Sequence, residues 1–151
     1  MEETVLGSLA RFQSDRGLDK QPFDLRVATM HILEELLEAH GVGDNSDRVL
    51  ANELYGAISD LVSEVSLGIS YDGVTFKEPT VEDQVDAFCD IEVFAGGDVG
   101  KLGYNNEKCL AEVSKEINSR TGEMIDGKFT KFKTPEAMAL WYKADFSNCK
   151  V

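Results

Sequence analysis

Apolar residues recur at spacings of three and four over most of this chain, and the runs open on capping side chains and close on glycines. Val5, Leu6, Leu9 and Phe12 share one helical face, which predicts a short amphipathic helix over 4–16 that Gly17 ends. Asp24 is placed to cap a longer helix from 25 to about 40, with Gly41 as its stop. Ser46 is the expected cap of a third helix, whose Leu50, Leu54, Ala57, Ile58, Leu61 and Val65 form the cleanest packing stripe in the chain, ending near Gly68. A fourth runs from 81 to about 102, where Gly103 stops it. Within it, Gly96 and Gly97 leave room for the close approach of a neighbouring helix. Asn105 or Asn106 caps a further helix, 107 to about 119, with Cys109, Leu110, Val113 and Ile117 inward.

Elsewhere the helical period is lost. Residues 68–79, with Tyr71-Asp72-Gly73 inside, read as a loop or small hairpin, Thr121-Gly122 and Asp126-Gly127 are turn signals, and 128–133 alternates like a short exposed strand. The aromatic tail Trp141, Tyr142 and Phe146 is expected to pack back on the domain or on a partner subunit. The fold expected is all-α, a helical bundle of four main helices, with its core over about 4–120 and a short irregular C-terminal extension over 121–151.

A length of 151 residues with 42% hydrophobic content suits one well-cored domain and is short for two. No apolar run is long enough to span a bilayer, and Met1-Glu2-Glu3 does not begin a signal peptide, so the expectation is a soluble cytoplasmic protein with no membrane partner. Cys89, Cys109 and Cys149 are odd in number and lack C-x-x-C spacing, which argues against a disulfide framework or a zinc site; Cys89 and Cys109 read as core. A net charge of −13 argues against stable nucleic-acid binding. Its distribution is uneven: residues 1–100 hold 21 acids and 6 bases, residues 101–151 hold 7 acids and 9 bases. An acidic half joined to a basic tail suits a ligand that is both metal-chelated and polyanionic, such as a nucleoside triphosphate.

The candidate chemistry lies in two acidic patterns. In His31-Ile32-Leu33-Glu34-Glu35-Leu36-Leu37-Glu38, Glu35 and Glu38 point the same way from one helix; in Asp83-Gln84-Val85-Asp86-Ala87-Phe88-Cys89-Asp90, three aspartates line one stripe of another. A stripe of acids is ordinarily a solvated face. Here apolar residues flank the acids on both sides, so partial burial is expected, and buried carboxylates need a partner or a hard cation such as Mg²⁺. Asp83 reads more naturally as a helix-start residue after Thr80 than as a ligand, and His31 as a partner of Glu35 rather than of a metal. The 41–45 loop lacks the ligand pattern of an EF-hand, and 96–100 lacks the spacing of a phosphate loop.

These residues resemble the MazG-like all-α nucleoside triphosphate pyrophosphohydrolases, which include phosphoribosyl-ATP pyrophosphohydrolases and dimeric dUTPases, and are closest in pattern to stand-alone phage members. Glu34-Glu35-Leu36-Leu37-Glu38 matches the family's E-E-x-x-E, and Asp86-Ala87-Phe88-Cys89-Asp90-Ile91 resembles the D-A-x-x-D of its phage-type members. Glu112-Val113, Ser119-Arg120 and Asp126-Gly127-Lys128 resemble a third stretch. The commoner family motif has glutamate where this chain has Ala87, which passes ligand duty to Asp86, and a whole helix separates the two acidic patterns.

The resemblance implies that Glu35, Glu38, Asp86 and Asp90 hold Mg²⁺, or Mn²⁺ in its place, and that Glu34, Glu35 and Glu38 form the catalytic group, Glu34 orienting a water or acting as its base. Lys115, Arg120 and Lys128 would clamp the phosphates of an NTP or dNTP that is cleaved to its monophosphate and pyrophosphate. It further implies a homodimer or tetramer, in the host cytoplasm if phage-encoded. The rival reading is a non-catalytic acidic helical protein, an inhibitor or DNA mimic, whose acids spread over an exposed surface instead of converging in a cleft.

Overall fold

The computed structural model describes residues 3–43, 46–69, 71–125 and 128–151. They form an all-α fold with a small irregular C-terminal part: α1 (Val5–Asp15), a 3-10 turn (Leu18–Lys20), α2 (Leu25–Ala39), α3 (Ser46–Ser66), α4 (Val81–Lys101), α5 (Asn106–Asn118), strands β1 (Gly122–Ile125) and β2 (Lys128–Lys131), and a one-turn α6 (Pro135–Met138). No described helix is long and apolar enough to cross a membrane.

Local chemistry explains the helix ends. Thr4 Oγ1 accepts the Gly7 N–H and Asp24 Oδ1 accepts the Val27 N–H, each satisfying a donor that the first helical turn leaves open. Asn105 does the same for Lys108 at the start of α5. Gly41 and Gly103 take left-handed φ values of 91° and 84° just beyond α2 and α4, where a side chain would be strained. Ser46, expected to cap α3, is its first residue, and the positions just before it, 44 and 45, lie outside the described residues. The turn α6 was not anticipated, although Thr134 capping Ala137 N–H with Pro135 at the first helical position is a recognisable start signal.

The chain divides into two compact units, Pro22–Thr80 and the remainder, Met1–Gln21 with Val81–Val151. In the first, α2 and α3 pack as an antiparallel pair. Arg26 Nη2 donates to Asn52 Oδ1 at 2.7 Å and its guanidinium lies 5.4 Å from the Tyr55 ring, fixing the pair at one end. The described residues of 68–79 form a loop, as expected, turned by Gly73 and tied to α3 by the Tyr71 hydroxyl donating to Glu64 at 2.6 Å.

In the second unit α5 is the centre. Helix α1 meets it through Ser8 and the buried Ser114, whose hydroxyl oxygens are 2.7 Å apart, with Asn118 Nδ2 donating to Ser114 O at 2.9 Å. At the other end Arg16 lies 4.1 Å from the Phe12 ring and 4.9 Å from Phe129, and its Nη2 donates to Arg120 O at 2.8 Å. Helix α4 approaches α5 at Gly96, where an added Cβ would stand 2.8 Å from Asn106 Nδ2; the close approach expected of the glycine pair therefore belongs to Gly96, since Gly97 has nothing within 4 Å. β1 and β2 pair antiparallel, Gly122 opposite Lys131.

Candidate functional site

Both acidic patterns lie on helices, as their spacing requires. Glu35 and Glu38 are three residues apart on α2, and Asp86 and Asp90 four apart on α4, so each pair shares one helical face. Glu34, turned by about 100° from Glu35, faces α3: its side chain is 16% exposed and its Oε1 is 4.0 Å from Arg48 Nε. The sequence reading reserved Glu34 for a catalytic water; within this unit it already faces a cation.

The expected burial of the other acids is not found. Glu35, Glu38, Asp86 and Asp90 are all exposed. Much of their flanking cover is itself open: Val27 beside Glu35 and Glu38, and Ile91, Val93 and Phe94 beside Asp86 and Asp90, are exposed, Phe94 by 70%, while Ala28 and Ile32 are half-buried. Flanking hydrophobic residues bury a carboxylate only when something packs over them. Cys89, between Asp86 and Asp90, is likewise exposed and not core. Asp83 sits in the first turn of α4, in keeping with a helix-start role. Among the described residues no three His, Cys, Asp or Glu side chains group as a metal site. Each carboxylate pair supplies two hard oxygen donors of the kind Mg²⁺ prefers, and by itself only part of a coordination set.

Of the three cations expected to bind phosphate, two have acidic partners one helical turn away. Lys115 Nζ is 2.5 Å from Glu112 Oε1, and Arg120 pairs with Glu116 while lying 5.6 Å from the Trp141 ring. The backbone of Lys128 begins β2; its side chain, with Asp126 and Gly127, lies outside the described residues.

The densest polar network is one that sequence reasoning missed. The strap 141–151 runs back along α5, and the acids of α5 receive it: Glu116 Oε2 accepts the Ala144 N–H at 2.8 Å, and Glu112 Oε2 accepts the Asp145 N–H at 3.2 Å together with the Tyr142 hydroxyl. Ser119 Oγ accepts the Tyr142 N–H at 2.8 Å. Bonds from Lys115, Tyr142 and the Asp145 backbone hold the Glu112 carboxyl down at about 2, and Lys115 is raised in return. The hydrogen bond to Glu112 raises Tyr142, and the Ser147 backbone N–H lowers Asp145. Beside this network is an open pocket of about 450 Å³, lined by Lys108, Glu112, Lys115, Tyr142, Asp145 and Cys149. The i,i+4 spacing of Glu112 and Glu116 with Lys115 between them was visible in sequence, but it reads equally as a solvated helical face.

The chain matches no family model, no curated protein and no solved structure in comparisons with each.

Proposed function

We propose that this protein is a divalent-cation-dependent nucleoside triphosphate pyrophosphohydrolase, converting an NTP or dNTP to the monophosphate and pyrophosphate. The observation that carries the reading is the presentation of two carboxylate pairs from consecutive turns of two helices, Glu35 with Glu38 and Asp86 with Asp90, each amid open apolar side chains. Carboxylate oxygens of this kind suit Mg²⁺, or Mn²⁺ in its place. When bound, the cation supplies neutralisation of phosphate charge and makes a water easier to deprotonate. Glu34 orients that water or accepts its proton, with Arg48 restraining the carboxylate from α3. Lys115 and Arg120 would meet phosphate oxygens in competition with Glu112 and Glu116, the acids they already pair with.

The same reading includes a homo-oligomer, a dimer or a tetramer. It is supported by the apolar residues that each unit leaves open, Leu50, Leu54, Ile58 and Leu61 along α3 and Val85, Val93 and Phe94 along α4. One observation favours a second reading: exposure of all four candidate ligands is what a non-catalytic acidic binding protein would show. A panel of nucleoside and deoxynucleoside triphosphates, incubated with Mg²⁺ or Mn²⁺ and scored for monophosphate and pyrophosphate, separates the two. Release from any member supports the enzyme, and silence across the panel leaves the acidic binder.

A further inference from the structure

The loop after α3 turns on an Asp-Gly pair. The Val74 N–H donates to the Tyr71 carbonyl at 3.0 Å, which closes a four-residue turn with Asp72 and Gly73 as its central residues. Gly73 takes a left-handed φ of 76°, a value that such a turn can require of its third residue and that glycine meets without strain. Both residues are exposed, and a Cβ added at Gly73 would meet nothing within 4 Å. Among the described residues neither the Asp72 carboxyl nor the Gly73 N–H is engaged in a hydrogen bond or ion pair. Two asparagines that precede small residues are placed differently. Asn118 donates from Nδ2 to Ser114 O at 2.9 Å, and the Ser119 N–H that follows it donates to Lys115 O at 3.1 Å. After Asn148 the Cys149 N–H donates to Phe146 O at 3.0 Å. At Asp72 the carboxyl and the amide that follows it are both free, and joining them closes a five-membered ring.

We propose that Asp72-Gly73 is a modification site at which the loop rearranges its own backbone to isoaspartate, with water as the sole co-reactant. The Gly73 nitrogen attacks Cγ of the protonated Asp72 carboxyl. The N–Cγ bond forms, the Cγ–OH bond breaks, and the amide proton leaves with the hydroxyl as water, giving a cyclic succinimide. Glycine favours this closure because no side chain stands beside the attacking nitrogen and its backbone swings freely. Water then opens the ring at either carbonyl. Attack at Cγ breaks the new N–Cγ bond and restores aspartate, whereas attack at the backbone carbonyl carbon breaks the original peptide bond and leaves the chain running through the Asp72 side chain. One water is lost and one regained, so nothing is oxidised or reduced. The isoaspartyl chain carries an extra methylene between residues 72 and 73. That insertion takes the Val74 N–H out of register with Tyr71 O, so the turn opens beside the Tyr71 hydroxyl that ties the loop to Glu64.

The test keeps the full-length protein for weeks in neutral buffer made with heavy-oxygen water, then digests it with trypsin in ordinary water. The tryptic peptide 49–77 contains Asp72 together with Asp60, which precedes leucine and serves as an internal control; Asp126-Gly127 falls on a separate peptide. The expected result is a second 49–77 species that elutes apart from the first, resists an endoprotease that cuts before aspartate at position 72, and carries heavy oxygen at residue 72 and not at Asp60. Amide exchange at Val74, slowed in fresh protein by its bond to Tyr71, should lose that protection in the aged species. Asp72→Glu keeps the charge but would have to close a six-membered ring, and its peptide should stay single. A parent peptide that remains single and unlabelled at residue 72, label at Asp60 equal to that at Asp72, or a second species that persists in Asp72→Glu overturns the proposal. The parent's label decides the matter even if the variant does not fold.

Discussion

The Tyr142 hydroxyl donates to the Glu112 carboxylate from 30 positions further along the chain. Lys115 and the Asp145 backbone N–H meet the same carboxylate, so one acid on the middle of α5 collects a cation from its own helix and two donors from the strap. Every bond in this set favours the ionised carboxylate, and this is why Glu112 is held at about 2.

Strap docking should therefore depend on pH in one direction. The unfolded chain binds a proton at Glu112 near 4.5 and the folded one only near 2, so the stability from Glu112 is fully present above 4.5 and is lost as pH falls toward 2. Trp141, the single tryptophan, lies in the strap and reports its release by fluorescence. Tyr142→Phe should move the Glu112 carboxyl upward and shift the release to higher pH. A transition that Tyr142→Phe leaves in place would assign it to another carboxylate.

Arg16 joins α1, β2 and the segment just after α5 through two aromatic faces and the carbonyl oxygen of Arg120. Arg16→Ala should lower stability by about 2 kcal/mol, and Arg16→Lys by less, since the ammonium keeps part of the cation–π attraction but loses the planar fork. Urea unfolding followed by circular dichroism measures both; an Arg16→Ala midpoint equal to the parent's would contradict the bridging role.

Two glycines should respond oppositely to alanine. Gly97 has open space around its missing Cβ, so Gly97→Ala should stabilise α4 by about 0.5–1 kcal/mol through helix propensity. At Gly122 a Cβ would fall 2.2 Å from Thr130 O, so Gly122→Ala should break the β1–β2 pairing. Thermal melts rank the pair, and amide exchange at Phe132, whose N–H bonds Thr121 O at 2.9 Å, reports the hairpin locally.

Glu38→Gln and Asp86→Asn should each weaken Mg²⁺ binding and lower pyrophosphohydrolase activity by several decades, on the order of losing one ligand charge. Metal-free stability should not fall with activity, because both side chains are exposed and no shape is lost. Added Mg²⁺ should raise the parent's melting temperature more than the variants'. Full Mg²⁺-dependent turnover in both variants would falsify the ligand assignment.

Light scattering at micromolar concentration should return a multiple of the 16.7 kDa chain mass, since apolar residues along α3 and α4 remain open. Leu54→Glu and Phe94→Glu, tested separately, should lower that mass if each face is used. A parent that scatters as a single chain removes the oligomer from the proposal.

The helices and most of their ends were determined by the sequence alone, because caps, glycine stops and apolar spacing act within one or two turns: Asp24, Asn105, Gly41 and Gly103 take the roles their local chemistry dictates, while Thr4, expected inside its helix, caps it. The shared face of Glu35 with Glu38, and of Asp86 with Asp90, was equally a consequence of helical period. What lies over a face is a different question, and period cannot answer it. The same spacing that predicted partly buried acids is compatible with the exposed ones observed, and Cys89 reads as core by pattern yet is open. Tertiary structure alone decided that Glu34 turns to Arg48 and that Glu112 and Glu116 serve the strap. The strap's bonds to Glu112, Glu116 and Ser119 join residues 23 to 33 positions apart, where no local rule links them and only the path of the chain brings them within bonding distance.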